Sequence, residues 1–161
     1  MNYGFIKVAS AIPSVRVGDV KYNTAQIENL IAQAEGQGVE VIVFPELSVT
    51  GYSCQDLFRQ EILLESAETA VMVLLDFTRK LNIIAVVGVP VVAGDLLLNC
   101  AVVIQQGEIL GIVPKTYLPN YNEFYERRWF ASSLDLCYEE IRFAGHKMVM
   151  PANSPIFTTS Q

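Results

Sequence analysis

The order of apolar runs near the start of the chain restricts its fold more than any other feature of the sequence. Phe5–Ala9 and Val39–Phe44 are short apolar runs of the kind that form buried strands. Between them, apolar residues recur at helical spacing over residues 27–34, and Gly36 ends that period. A strand, a helix and a strand joined by short turns indicate a βαβ unit, whose two strands run parallel. This order predicts an α/β fold.

The middle of the chain extends the alternation of strands and helices. Gln60–Leu81 carries a broad apolar face at helical spacing and predicts a second, long helix. Ile83–Val89 is rich in β-branched residues and predicts a strand that ends at Pro90. Asn23 or Thr24 is expected to cap the first helix, because short polar side chains accept hydrogen bonds from the free N–H groups at a helix start.

A hairpin and an irregular tail follow. Leu96–Gln105 and Ile109–Val113 flank Gln106-Gly107, which is a typical turn between antiparallel strands. Tyr117–Phe130 is dense in aromatic and charged residues without a clear period, and predicts a long ordered loop with a short helix. No internal repeat or linker divides the chain, so we predict a layered α/β fold. Two further strands are expected at Arg142–Met150 and Ile156–Thr159.

The composition excludes several classes of protein. Hydrophobic residues make up 52% of the 161 residues and charged residues 17%, which is the reverse of the balance in disordered chains. The net charge of −6 argues against binding to nucleic acids or to an anionic membrane surface. One His and three scattered Cys residues predict neither a disulfide framework nor a metal site. The sequence has no cleavable signal pattern and no apolar stretch of about 20 residues, so we expect a cytoplasmic location.

Two predicted strands each end in a proline followed by an ionisable residue. Pro45 precedes Glu46, and Pro114 precedes Lys115. Because α/β proteins bind ligands at the C-terminal ends of their strands, we expect Glu46 and Lys115 to meet there on adjacent strands, with their charged atoms within about 4–6 Å. A carboxylate among apolar residues can act as a general base, and a neighbouring Lys can stabilise an oxyanion. The alternative is an ordinary surface ion pair, which contributes little to stability.

Two segments resemble the nitrilase, or carbon–nitrogen hydrolase, superfamily. Phe44–Phe58 reads FPELSVTGYSCQDLF and is similar to the segment that carries the catalytic Glu of that superfamily. Pro114–Phe130 reads PKTYLPNYNEFYERRWF and resembles the catalytic-Lys segment of one branch, the glutamine-hydrolysing N-terminal domain of glutamine-dependent NAD synthetases. Arg142–Met148, which reads RFAGHKM, is also similar to that branch. The resemblance extends over essentially the whole chain and implies a nitrilase-type four-layer α-β-β-α sandwich.

The same resemblance implies a Glu–Lys–Cys triad that hydrolyses the side-chain amide of glutamine. It makes Glu46 the general base, Lys115 the oxyanion stabiliser and Glu126 a second Glu that helps to position the Lys and the substrate. In the family, the released ammonia travels to a C-terminal ATP-dependent domain, which converts deamido-NAD to NAD. The family positions that line the glutamine pocket correspond to Tyr52, Tyr121 and Phe124.

The family's nucleophilic Cys lies in a segment of the type E-I-C-E-D-L-W, after the Lys segment, and residues 1–161 contain no such segment. Cys54 belongs to the loop of the Glu segment, Cys100 lies within a predicted strand, and Cys137 follows no strand of small apolar residues. We therefore expect residues 1–161 to be the N-terminal part of the glutaminase domain, ending before the nucleophile strand. By itself this segment is expected to be inactive.

The resemblance also implies partners and cofactors. Glutamine is the expected substrate, the synthetase domain of the same full-length protein is the expected partner, and family members form homo-oligomers. ATP and Mg are expected in the synthetase domain, and no cofactor is expected in this segment. Two alternatives remain: a free-standing nitrilase-type amidase acting on a small ω-amide, and a catalytically dead nitrilase-fold module used for assembly. The Lys segment favours the synthetase branch over the first, and the missing Cys segment is the only support for the second.

Overall fold

The first predicted unit, a helix between two parallel strands, is confirmed. The computed structural model describes residues 4–136 and 139–150. Strand β1 (Val8–Ser10) pairs in parallel with β2 (Val41–Val43), and helix α1 (Val20–Gly36) connects them. This βαβ unit forms one side of the main sheet.

Helix α1 begins before the residues that were expected to cap it. Its N-cap is Asp19, whose carboxylate accepts a hydrogen bond from the Tyr22 N–H. Asn23 and Thr24 lie inside the helix and are buried. The Asn23 amide donates to the backbone oxygen of Val49 at 3.0 Å and so links α1 to the segment after β2. The predicted cap is wrong because Asn23 makes a tertiary contact, which the helical period of the sequence does not reveal.

A second helix, α2 (Glu61–Thr78), follows β2 and leads into the rest of the sheet. That part of the sheet consists of three strands in which each pairs antiparallel with the next: β3 (Ile84–Ala93), β4 (Leu96–Gln105) and β5 (Glu108–Pro114). The strand order is β1-β2-β3-β4-β5, and β3 is parallel to β2. Gln106 and Gly107 have φ values of 50° and 83°. These positive values are those of a two-residue hairpin turn, so the predicted hairpin is confirmed.

Strand β3 continues through Pro90 to Ala93, past its predicted end. Pro90 lies opposite Asn99 of β4. The Asn99 backbone oxygen points away from β3, because it accepts a hydrogen bond from the Lys115 N–H at 2.8 Å on the β5 side of β4. In an antiparallel pair, two opposed residues either both face each other or both face away. The Pro90 nitrogen therefore faces away from β4, on the side where β2 has already ended at Val43. Proline lacks only this N–H donor, so the strand passes through it.

Helices α1 and α2 cover one face of the sheet. Alternate residues of β3 from Ala85 to Ala93 are fully buried in the core shared with these helices. Because successive side chains of a strand point to opposite faces, Val86 and Gly88 lie on the other face. The mixed α/β fold predicted from the sequence is confirmed, and the face opposite the helices carries the candidate site described below.

The tail forms a hairpin rather than one strand. Strands β6 (Glu139–Phe143) and β7 (His146–Met150) pair antiparallel around Ala144 and Gly145. The φ values of these two residues, 50° and 80°, are again those of a two-residue turn. The predicted single strand over Arg142–Met150 is wrong because this turn falls inside it.

The long segment after β5 is irregular, as predicted. Within Tyr117–Phe130 the structure has one short 3₁₀ turn, Glu126–Arg128. The predicted strand Ile156–Thr159 and the residue Cys137 lie outside the described residues. No helix in the described part of the chain is long and apolar enough to cross a membrane.

Candidate active site

Glu46 and Lys115 meet on the face of the sheet opposite the helices, although their strands are not neighbours. Strands β3 and β4 lie between β2 and β5, so the predicted adjacency is wrong. Two successive antiparallel pairings nevertheless make β5 run in the same direction as β2 and β3. The C-terminal ends of β2 and β5 therefore lie at the same end of the sheet. Lys115 Nζ is 2.8 Å from Glu46 Oε1 and 2.9 Å from Oε2, so the predicted proximity is confirmed at a shorter distance than expected.

Gly88 allows the turn after β2 to cross above β3. A β-carbon at this position would lie 2.3 Å from the nitrogen of Leu47 and 2.4 Å from the oxygen of Pro45. The turn thus occupies the space that a side chain on β3 would fill. The Val49 N–H donates to the Gly88 oxygen at 3.2 Å and holds the returning chain against β3. This crossing carries Glu46 beyond the end of β2 and toward β4.

Lys115 is held by backbone contacts on both sides. Its backbone N–H donates to the Asn99 backbone oxygen at 2.8 Å, and its own backbone oxygen accepts from the Ser133 N–H at 3.0 Å. The buried Asn99 side chain also places its amide nitrogen 3.4 Å from Glu46 Oε2. Asn99 therefore contacts both members of the ion pair. Glu46, Asn99 and Lys115, together with Gly88, line part of a cavity of about 270 Å³.

Glu126 completes a cluster of one cation and two carboxylates. Lys115 Nζ donates to Glu126 Oε1 at 3.0 Å. The Glu126 side chain is only 3% exposed, whereas that of Glu46 is 50% exposed. Burial lowers the pKa of Lys115, but the hydrogen bonds to Glu46 and Glu126 outweigh burial, so the pKa lies above the ordinary value of 10.5. Lys115 is therefore protonated at neutral pH.

Tyr52 joins the cluster through Glu126. Its hydroxyl donates to Glu126 Oε1 at 2.7 Å. Burial, and then this hydrogen bond to a carboxylate, raises the pKa of Tyr52 above its ordinary value. Among the described residues, the buried Glu126 Oε2 has no hydrogen-bond partner. The orientation of the Glu126 carboxylate thus depends on the two bonds at Oε1.

Tyr121 and Phe124 lie in the loop between Lys115 and Glu126. Their rings meet edge to face, with centroids 5.8 Å apart. The Phe124 N–H donates to the backbone oxygen of Tyr121 at 3.0 Å. Tyr121 is exposed. Their described contacts are with each other rather than with the charged cluster, and their place in a substrate pocket stays a prediction.

Sequence reasoning missed the residues that hold the cluster together. Gly88 and Asn99 interrupt apolar β-branched strands, and a Gly inside a strand is a signal of close backbone approach. Asp56 was also missed. Its carboxylate accepts from Arg128 Nε at 2.9 Å, from Arg128 Nη2 at 3.1 Å and from Trp129 Nε1 at 2.9 Å. Asp56 is an exposed residue within the irregular segment after β2, and a single Asp in such a segment gives no such signal in the sequence.

Neither described cysteine is a reactive thiolate. Cys100 follows Asn99 on β4, so its side chain points to the helix-covered face, and burial raises its pKa strongly. Burial also raises the pKa of Cys54, although hydrogen bonds from Gly18 and Thr50 partly oppose this, and its Sγ lies 3.1 Å from the Thr50 oxygen. Within the described ranges, no group of three or more His, Cys, Asp or Glu side chains could hold a metal ion.

The sequence of this chain is similar to those of curated proteins that are much longer. The chain is 40% identical over 134 residues to a glutamine-dependent NAD(+) synthetase of Mycobacterium leprae, which covers 83% of this chain and 20% of that protein. It is 38% identical over 132 residues to the enzyme of the same name from Aquifex aeolicus, covering 82% of this chain and 23% of that protein. The chain thus spans about a fifth of the length of these curated relatives.

A solved structure and a family model extend the comparison. The crystal structure of a glutamine-dependent NAD(+) synthetase from Cytophaga hutchinsonii superimposes with a TM-score of 0.78 at 27% identity, covering 90% of this chain and 25% of that one. The model of the family described as carbon-nitrogen hydrolase matches residues 7–158. A match over nearly the whole chain, together with a Glu–Lys–Glu cluster on the sheet, means that this chain belongs to the carbon–nitrogen hydrolase family.

Proposed function

We propose that residues 1–161 are the N-terminal part of a glutaminase domain, which releases ammonia from glutamine for an ATP-dependent domain that converts deamido-NAD to NAD. The observation that carries the proposal is Lys115 Nζ, bound at 2.8 Å by Glu46 and at 3.0 Å by Glu126 beside an open cavity. The names of the relatives, glutamine-dependent NAD(+) synthetases, support the choice of substrate and product. The proposal includes self-assembly of the whole enzyme and a cytoplasmic location.

The charges of the cluster suit the hydrolysis of an amide through a covalent intermediate. Glu46, half exposed and facing the cavity, takes the proton from a thiol as its sulfur bonds to the amide carbon, and gives that proton to the nitrogen as the C–N bond breaks and ammonia leaves. Water then hydrolyses the thioester, which releases glutamate and restores the thiol. Lys115 is protonated, so it acts as a fixed positive charge for the developing oxyanion rather than as a base. Glu126 holds Lys115 in place by accepting a hydrogen bond from its Nζ at Oε1.

The nucleophile of this reaction is neither Cys54 nor Cys100. Cys100 lies on the opposite face of the sheet from Asn99, and the Cys54 thiol is directed at the Thr50 backbone oxygen. Burial favours the neutral thiol in both cases, whereas catalysis needs a thiolate. The proposal assigns ATP and Mg²⁺ to the synthetase domain, as the resemblance to glutamine-dependent NAD synthetases implies.

The proposal is tested with Glu46→Gln in the protein made from its complete reading frame. Glutamine-dependent NAD synthesis is expected to be lost, while synthesis from added ammonia is kept, because free ammonia bypasses the amidase. Glu123→Gln is the matched control, since Glu123 is an exposed acid in the neighbouring loop. Equal loss of both activities in Glu46→Gln, or full retention of both, would contradict the proposal.

A further inference from the structure

Two segments far apart in sequence meet beside the charged cluster. One is the kinked 3₁₀ segment Tyr52–Arg59, and the other is the turn Glu126–Arg128 with the residue that follows it. The bond from the Tyr52 hydroxyl to Glu126 Oε1, at 2.7 Å, joins the starts of the two segments. The relative position of these segments therefore sets the geometry of Glu126.

Asp56 joins the same two segments farther along. Its carboxylate accepts two hydrogen bonds from the Arg128 guanidinium and one from the Trp129 indole, at 2.9 to 3.1 Å. Arg59 adds a bond to the Arg128 backbone oxygen at 3.2 Å. A planar guanidinium bound through two nitrogens and a planar indole fix direction as well as distance. These contacts orient the backbone immediately after Glu126.

An apolar contact beneath Asp56 makes this junction a defined unit. Phe58 is buried, and its ring lies 6.3 Å from that of Trp129 and 4.9 Å from that of Phe130. The Phe130 N–H in turn donates to the Glu126 backbone oxygen at 2.8 Å. Asp56 and Arg128 are more than half exposed, and such a pair alone would contribute little to stability. Arg128, however, lies two residues after Glu126, so its pairing with Asp56 can orient the backbone that carries Glu126.

We propose that Asp56 is a positioning residue, which holds Arg128 and Trp129 so that Glu126 keeps its orientation toward Tyr52 and Lys115. The inference rests on the proposed glutaminase function. Because Glu126 is fixed only at Oε1 among the described residues, its carboxylate can turn when its backbone shifts. A displacement of about 1 Å near a reacting group can reduce a rate by on the order of 10²-fold.

The test compares Asp56→Asn with Asp76→Asn in the protein from the complete reading frame. Asp76 is a matched control, because it also forms an exposed ion pair with an Arg, Arg79, but at the C-terminal end of α2 and between residues close in sequence. Asp56→Asn is expected to lower kcat for glutamine hydrolysis by about tenfold or more, with ammonia-dependent synthesis kept. Asp76→Asn is expected to leave both activities unchanged. Trp129→Phe, which keeps a ring on Phe58 and removes one donor, is expected to give a smaller loss.

A spectroscopic readout separates positioning from general loss of structure. The hydroxyl proton of Tyr52, identified by its disappearance in Tyr52→Phe, reports the bond to Glu126 in a proton NMR spectrum. Asp56→Asn is expected to move this resonance upfield, and Trp129→Phe carries the same test if Asp56→Asn does not fold. An unmoved resonance or an unchanged kcat in the folded variant would overturn the inference. If the resonance moves but Glu46→Gln keeps full glutaminase activity, the proposed function fails while the positioning of Glu126 stands.

Discussion

Gly88→Ala is the sharpest perturbation that the structure offers, because it adds one methyl group where the backbone of another segment already lies. The added carbon would approach the Leu47 nitrogen to 2.3 Å and the Pro45 oxygen to 2.4 Å, whereas ordinary contacts begin at 3.4 Å. Both neighbours are backbone atoms, so the turn itself must retreat by about 1 Å. No positive φ is involved at Gly88, so the effect is one of space rather than of backbone strain.

The magnitude follows from that displacement. Overpacking a core usually costs about 1–3 kcal/mol of stability. A shift of about 1 Å in Glu46 reduces the rate of glutamine hydrolysis by on the order of 10²-fold, which corresponds to about 2.7 kcal/mol in the activation free energy. The loss is expected in kcat for glutamine, because the shift separates Glu46 from Lys115, whereas ammonia-dependent synthesis is kept.

Steady-state kinetics and urea unfolding of Gly88→Ala measure both effects. Gly36→Ala is the matched control: nothing lies within 4 Å of its β-carbon, and it lies at the exposed end of α1. That control is expected to keep full activity and to gain up to about 1 kcal/mol of helix stability. A folded Gly88→Ala protein with glutamine kinetics within twofold of the wild type would refute the conclusion that the crossing above β3 positions Glu46.

Three further outcomes are expected. Lys115→Ala should lose roughly 10²- to 10³-fold of glutamine-dependent activity, or about 3–4 kcal/mol of oxyanion stabilisation, and keep ammonia-dependent synthesis; loss of both would make Lys115 structural. Purified residues 1–161 should release no ammonia from glutamine, and turnover that disappears in Cys54→Ala would show that Cys54 is the nucleophile. The bonds from Arg128, then Trp129, lower the pKa of Asp56 to about 2, below the usual 3.8. The stability that this group contributes should therefore be present above about pH 4 and be lost as the pH falls toward 2. Urea midpoints of wild type and Asp56→Asn should converge over that range, and a constant difference would contradict the assignment.

Local patterns in the sequence were sufficient to predict the helices, the first βαβ unit and the β4–β5 hairpin. Apolar periodicity and the Gln106-Gly107 turn act over a few residues, so they can be recognised without knowledge of the rest of the chain. The errors occurred where a distant segment competes with a local signal. Pro90 did not end β3, because its nitrogen, which lacks a hydrogen to donate, faces the side on which β2 has already ended at Val43.

The candidate site shows the same division. Each of Glu46 and Lys115 follows a strand and a proline, so their position at strand ends and their opposite charges could be predicted from local pattern. Strand order, in contrast, depends on pairings between residues far apart, so the placement of β3 and β4 between them became visible only in the folded chain. The missing side chain of Gly88 then allows the turn to cross that gap. The bridge from Asp56 to Arg128 and Trp129 joins residues more than 70 positions apart, a contact that no local pattern can encode because it exists only once the chain has folded.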